Sequence, residues 1–153
     1  MTIAGSSEAG VLLGLAERCE KASGADRVLD RLILEATSDF RELGHNYFEM
    51  GGWYYSLDGD ERNPAYPSPT SSLDDAMKLV PEGFKWKLTY SKYVPFVAEL
   101  CDYGPNSAYG RFDAECDSNH ALALVSAALR ARAALSPTGN DGVDGSTQVE
   151  GGV

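Results

Sequence analysis

The stretch "GFKWKLTYSKY", residues 83–93, constrains the fold of this chain more than any other, because its large apolar side chains fall on every second position. Phe84, Trp86, Leu88 and Tyr90 alternate with Lys85, Lys87, Thr89 and Ser91. Only an extended strand sends successive side chains to opposite faces. The aromatic face is therefore expected to meet a core, and the lysine face to meet water or a partner.

Once that strand is placed, its neighbours follow. "VPFVAELC", residues 94–101, is a second apolar run, and Pro95 confines its start to an edge or a bulge because proline brings no N–H to a ladder. Residues 108–116 alternate again, with Gly110, Phe112, Ala114 and Cys116 set against Tyr109, Arg111, Asp113 and Glu115. With "DYGPNSAYG" as the turn between the second and third runs, the economical arrangement is a three-stranded antiparallel meander.

Helical spacing surrounds this sheet. Val11, Leu12, Leu15, Ala16 and Cys19 define a first helix over residues 8–22, and Ser23-Gly24-Ala25 breaks it. Val28, Leu29, Leu32 and Ile33 define a second over residues 26–36, with Asp26, Asp30 and Arg31 on its other side, and the two should form a hairpin. Phe40, Leu43, Tyr47 and Met50 align as a third short helix over residues 39–50. Ser72 with Asp75 is a start signal for a helix of about two turns that Pro81-Glu82-Gly83 stops. The last helix, "NHALALVSAALRARAAL", is capped by Asp117 or Ser118. It lays a stripe of Leu122, Val125, Ala128 and Leu129 on the sheet, and Arg130 and Arg132 near its end complement its dipole.

The expected fold class is α+β: an N-terminal helical hairpin, a short helix, a small antiparallel sheet of three to four strands, and a C-terminal helix packed on the sheet. A chain of 153 residues with 43% hydrophobic content suits one such domain. Its expected bounds are residues 8–135, between a flexible start at residues 1–7 and a disordered acidic tail at 136–153, where apolar side chains are too sparse to offset chain entropy.

Charge and motifs narrow the function. Thirteen basic against 23 acidic side chains give a net charge of −10, which repels nucleic acid and favours either simple solubility or a basic protein partner. No apolar run approaches the roughly 20 residues that cross a bilayer. The start of the chain lacks a basic segment followed by an apolar one, and Cys19, Cys101 and Cys116 are odd in number, so a cytoplasmic chain with reduced thiols is expected. Cys101, Cys116 and His120 lack the tight ligand pairs of a zinc site; the cysteines read as fillers of core gaps, and His120 as a residue of the last helix's first turn. "GPNSAYG" lacks the Lys-Ser/Thr of a phosphate loop, and neither Gly-x-Ser-x-Gly nor His-Glu-x-x-His occurs. A cysteine nucleophile meeting a histidine in space stays open, but nothing points to it; the expectation is a non-enzyme without cofactor or metal.

The constellation that remains is a long surface loop within residues 53–70, with a short strand before it as an open alternative, in which three prolines forbid a long regular element. Tyr54, Tyr55 and Tyr66 stand beside Asp58, Asp60 and Glu61 there. Aromatic anchors with an acidic rim suit a basic protein surface, the anchors supplying buried area and the rim steering encounter. Asp113 and Glu115 on the third strand join them as candidate partner contacts. The bland alternatives are a solvated loop whose tyrosines cover the core edge, and Lys85 and Lys87 pairing across the sheet with Asp113 and Glu115.

Three segments carry a resemblance: Ser72-Leu73-Asp74-Asp75-Ala76, Val80-Pro81-Glu82-Gly83-Phe84, and the Ala/Leu run of residues 121–131. Together with "DRVLDRLI" near the start, they resemble the phage alpha-beta-alpha sandwich domain family, small phage and prophage proteins of unassigned activity. The likeness covers most of residues 8–135. It departs at Phe84, where the family often has tryptophan, and over residues 38–52, which look like an insertion. The resemblance implies helices on both sides of the sheet and a phage accessory protein in the bacterial host cytoplasm. By analogy of context and charge, it implies an anti-CRISPR-like inhibitor that binds a basic surface of a host defence effector. A sponge for a nucleotide signal, using Lys85, Lys87 and Arg111, is the alternative, and a virion or assembly component a third. A homodimer stays open.

Overall fold

A computed structural model describes residues 8–102 and 110–136. The expected flexible start, the turn through residues 103–109 with Tyr109, and the tail beyond residue 136 lie outside the described residues. The architecture is α+β, with helices at both ends and two separate antiparallel sheets between them. In chain order the elements are α1 (Glu8–Lys21), α2 (Arg27–Thr37), β1 (Arg41–Gly44), β2 (Tyr47–Met50), β3 (Trp53–Ser56), α3 (Leu73–Met77), β4 (Phe84–Ser91), β5 (Val94–Asp102), β6 (Arg111–Cys116) and α4 (His120–Leu135). The first sheet runs β1-β2-β3 and the second β4-β5-β6.

The C-terminal helix packs on the second sheet, yet it is not a one-stripe helix. Leu122, Val125, Ala128 and Leu129 are buried, and so are Ala123, Leu124, Ala127 and Ala131 around the rest of its circumference. A helix that is apolar all round belongs in the middle of a core. Here α4 lies between β5 and β6 on one side and α1 and α3 on the other. Alanine lets α1 come close, presenting Leu12, Leu15, Ala16 and Cys19 to the same core. One polar cross-link spans the interface: Glu20 on α1 accepts both Nε and Nη2 of Arg130 at 3.0 and 2.9 Å, and the buried Ser126 hydroxyl donates to it at 2.6 Å. Arg130 thus serves a neighbouring helix rather than the dipole of its own. The cap is Asn119, whose side-chain oxygen accepts from Leu122 N–H at 2.7 Å. Ser118, one residue earlier, donates to the Ala22 carbonyl instead.

The strand over residues 84–91 is extended, but its aromatic face is only partly covered. In register, Trp86 faces Leu100 and Leu88 faces Ala98 on β5, and these face Phe112 and Ala114 on β6. Helix α4 sits over β5 and β6, where Ala98, Leu100, Ala114 and Cys116 are buried. β4 is the edge strand beyond that cover, which leaves Trp86 36% and Tyr90 65% exposed. The opposite face carries Lys85, Lys87, Glu99, Arg111, Asp113 and Glu115, so among the described residues helices line this sheet on one side rather than on both.

Residues 39–50 correct the sequence reading most. They form β1 and β2, not a helix. His45 and Asn46 both adopt left-handed backbone (φ 54° and 66°), as do Gly51 and Gly52 (φ 60° and 82°). Each pair is a two-residue turn of the kind whose twist matches antiparallel strands. Phe40, Leu43, Tyr47 and Met50 happen to fit helical spacing, but Leu43 and Tyr47 are exposed, while Phe48, off that stripe, is buried.

Candidate functional site

The irregular stretch after β3 is held to the molecule by a charged hub on the first turn of α2. Asp26 caps that helix, accepting from Val28 and Leu29 N–H at 2.9 and 3.1 Å. One turn on, the Asp30 carboxylate is fully buried. It accepts from Thr70 N–H at 2.8 Å, from the Ser68 hydroxyl at 3.0 Å and from Arg27 Nη1 at 3.0 Å. Arg27 fans its remaining donors over the carbonyls of Leu57, Tyr66 and Pro67 and lies 3.7 Å above the Tyr66 ring. A carboxylate out of water is tolerated only when paired and hydrogen-bonded. The stretch of residues 57–72 supplies those partners, while its own regular pairing is limited to a single β-bridge from Ala65 to Ser56.

Tyr66 is consequently interior and not an anchor for a partner. It is 3% exposed, packs edge-on against Phe40 and Phe48 at 5.2 and 4.8 Å, and donates its hydroxyl to the Arg27 carbonyl. With Leu34 these rings form a second, small core beneath the first sheet, and Tyr55 packs partly buried against it. Sequence reasoning grouped Tyr66 with the surface tyrosines because nothing in "NPAYPSP" shows which aromatic turns inward. The Arg27 to Asp30 spacing was visible, but its role depends on contacts some 40 residues away.

Tyr54, by contrast, is 55% exposed. Two further aromatics stand out beside it that sequence reasoning did not single out: Trp53 at 73% and Tyr47 at 40% exposure. Trp53 lies on the other face of the sheet, the one that carries Phe48 and Tyr55, and the missed β2 strand hid Tyr47. Asp58, Asp60 and Glu61 are all exposed in the loop that leaves this sheet. Asp60 is also structural: it accepts from Arg62 and Asn63 N–H at 2.9 and 2.8 Å and from the Tyr47 hydroxyl at 3.0 Å. Those three donors, the Asn63 amide foremost, hold its carboxyl below the usual carboxylate range, and the same bond raises the Tyr47 phenol. Arg41 and Glu49 form an ion pair on the face that carries Tyr54.

Asp113 and Glu115 belong to the other sheet, so the expected acidic surface divides between two sheets. The expected pairing of Lys85 and Lys87 with these acids is not direct, because β5 lies between β4 and β6. Lys87 is registered against Glu99, and Glu99 against Asp113. Arg111 holds Glu99 at 2.8 Å and Asp113 at 2.9 Å, and these acids raise its own pKa, Asp113 most. With Arg111 so engaged, this face reads as a charge ladder.

Two of the three cysteines occupy core positions; Cys101, expected to fill a core gap as well, is half-buried on the charged face of the second sheet, in register between Lys85 and Arg111. Cys19 and Cys116 are buried, and the Cys116 thiol points to the Cys19 carbonyl at 3.5 Å. Burial, with Cys116 and Asp30 adding to it, pushes the Cys19 thiol up to about 12, far from a nucleophile's range. His120 begins α4 and sets its ring edge-on to Phe96 at 5.5 Å. Among the described residues, no group of three or more His, Cys, Asp and Glu is placed to hold a metal, and no helix is long and apolar enough to cross a membrane. No protein-family profile, curated protein or solved structure matches the chain.

Proposed function

We propose that this protein works by binding rather than by catalysis, and that the first sheet with its acidic loop docks on a basic surface of another protein. The observation that carries this reading is the exposure of Tyr47 and Tyr54 on one face of β2 and β3, with the Tyr47 hydroxyl bonded to Asp60 in the acidic loop that also holds Asp58 and Glu61. Large aromatics left in water beside carboxylates combine what an interface buries with what steers a cationic partner to it. The net charge of −10 adds long-range attraction to the same class of partner. The resemblance to phage accessory proteins makes a bacterial defence effector with a nucleic-acid channel the partner class to try first, in the cytoplasm of the host.

Expression in a bacterium that carries an active nucleic-acid-targeting defence, followed by plaque counts, tests the reading. The wild-type chain is expected to protect an incoming phage. Tyr54→Ala, and separately Asp58→Lys with Glu61→Lys, are expected to abolish protection while leaving the fold intact; Asp60 is left alone because it holds its own turn. Protection that survives both changes refutes the surface, and a wild-type chain that protects against no such defence refutes the role.

A further inference from the structure

A second binding feature lies away from the first sheet, in a cleft of about 390 Å³ where the end of α4 meets α1 and the residues after α3. Leu12 and Leu135 give it apolar walls, Arg132 and Ser136 sit within it, and Glu8 and Glu82 line it as well. Arg132 donates Nε to the Leu79 carbonyl at 2.7 Å and has no carboxylate partner among the described residues. Burial pulls its pKa below the ordinary arginine value, the mark of a guanidinium short of solvation. Ser136 is 4% exposed, and its hydroxyl has no hydrogen-bond partner among the described residues. Unsatisfied buried polar groups are rare in folded proteins and call for a specific explanation.

The chemistry of the lining selects a ligand. A planar guanidinium whose Nη groups have no hydrogen-bond partner among the described residues takes a carboxylate or a phosphate. Two glutamates at the same cleft oppose a multiply charged phosphate and welcome an ammonium group. Leucine walls take an alkyl side chain. We infer that this cleft binds a small zwitterion with an apolar side chain, the chemistry of a free aliphatic amino acid or a short apolar peptide, with its carboxylate on Arg132 and Ser136 and its ammonium toward Glu8 and Glu82. This inference stands independently of the docking surface on the first sheet, whose residues are all different.

Calorimetric titration of the full chain with L-leucine, leucyl-glycine, N-acetylleucine, leucinamide and inorganic phosphate provides the test. Leucine or leucyl-glycine is expected to bind saturably, the stronger of the two identifying the source. N-acetylleucine, which lacks the ammonium, and leucinamide, which lacks the carboxylate, are each expected to bind at least about tenfold more weakly. Arg132→Gln should lose the zwitterion, and Ser136→Ala should weaken it by about three- to tenfold. Should Arg132→Gln unfold, Glu82→Gln with Glu8→Gln gives the reciprocal reading, weakening leucine while leaving N-acetylleucine unchanged or improved. Absence of saturable binding by both zwitterions, equal binding of leucine and N-acetylleucine, or phosphate binding more tightly than either zwitterion overturns the inference.

Discussion

The two sheets have the same number of strands and the same antiparallel order, but they are held in opposite ways. The second rests on α4, a helix whose leucines and alanines from Ala121 to Ala133 are buried on every side. The first rests on four buried side chains, Leu34, Phe40, Phe48 and Tyr66, and on a loop without regular structure that is itself pinned through Asp30. Strand pairing is thus not what separates a sheet that anchors the domain from one that is merely attached to it. What covers the sheet decides. The contrast also separates chemistry: large apolar contact for the second sheet, charge and hydrogen bonds for the approach to the first.

That contrast can be broken most forcefully at the hub. Asp30→Ala would leave Arg27, Ser68 and Thr70 N–H without their shared acceptor, and removing one partner of a buried pair costs about 3–5 kcal/mol. Urea unfolding followed by fluorescence should show the loss, and a change below 1 kcal/mol would mean the hub is not what holds the loop. Leu124→Ala in α4 is expected to cost about 2–5 kcal/mol and to lower the single global transition. Native-state hydrogen exchange sharpens the comparison further. Amides of β2 and β3 should exchange through a local opening of lower free energy than those of β5, and equal protection would remove the distinction drawn between the sheets. On the open face of the second sheet, Arg111→Ala should leave the urea midpoint almost unchanged despite its two acidic partners, because the guanidinium itself is exposed and solvent screens the pairs.

The smallest expected effect is a pH window at the Tyr47–Asp60 contact. The folded pKa of Asp60 is depressed, so its contribution is present above the ordinary carboxylate range and lost as pH falls through the lowered value. The folded pKa of Tyr47 is raised, so its contribution is present below the ordinary phenol range and lost as pH climbs through the raised value. Protection of the Arg62 and Asn63 amides should follow this window on its acid side, and Asp60→Asn should flatten it.

Legibility in the sequence follows the same division. The second sheet, its edge strand and α4 were readable because period-two and helical patterns run through them for many residues, as in Phe84 to Ser91. The layering of α4 was half readable: its all-round apolar surface was present in the sequence, but a single stripe was expected. β1 and β2 were misread because they have four residues each, too short for a period to declare itself, and because Phe40, Leu43, Tyr47 and Met50 mimic a helical face. His45-Asn46 and Gly51-Gly52 were the better guide, since residues tolerant of left-handed backbone at two-residue spacing signal hairpins. Tyr66 could not be told from Tyr54 by composition; its burial comes from Arg27 and Asp30, distant in the chain. Arg132 and Ser136 carried no sequence signal beyond their place at the end of a helix.

The central position of α4 also orders events during synthesis. Arg130 meets Glu20 across 110 residues of chain, and the helix that fills the space between α1 and the second sheet is the last described element to leave the ribosome. Until it emerges, both of those apolar surfaces wait without a partner. Nascent chains of this protein are therefore obliged to fold late and over long range, a route that is slow and open to self-association.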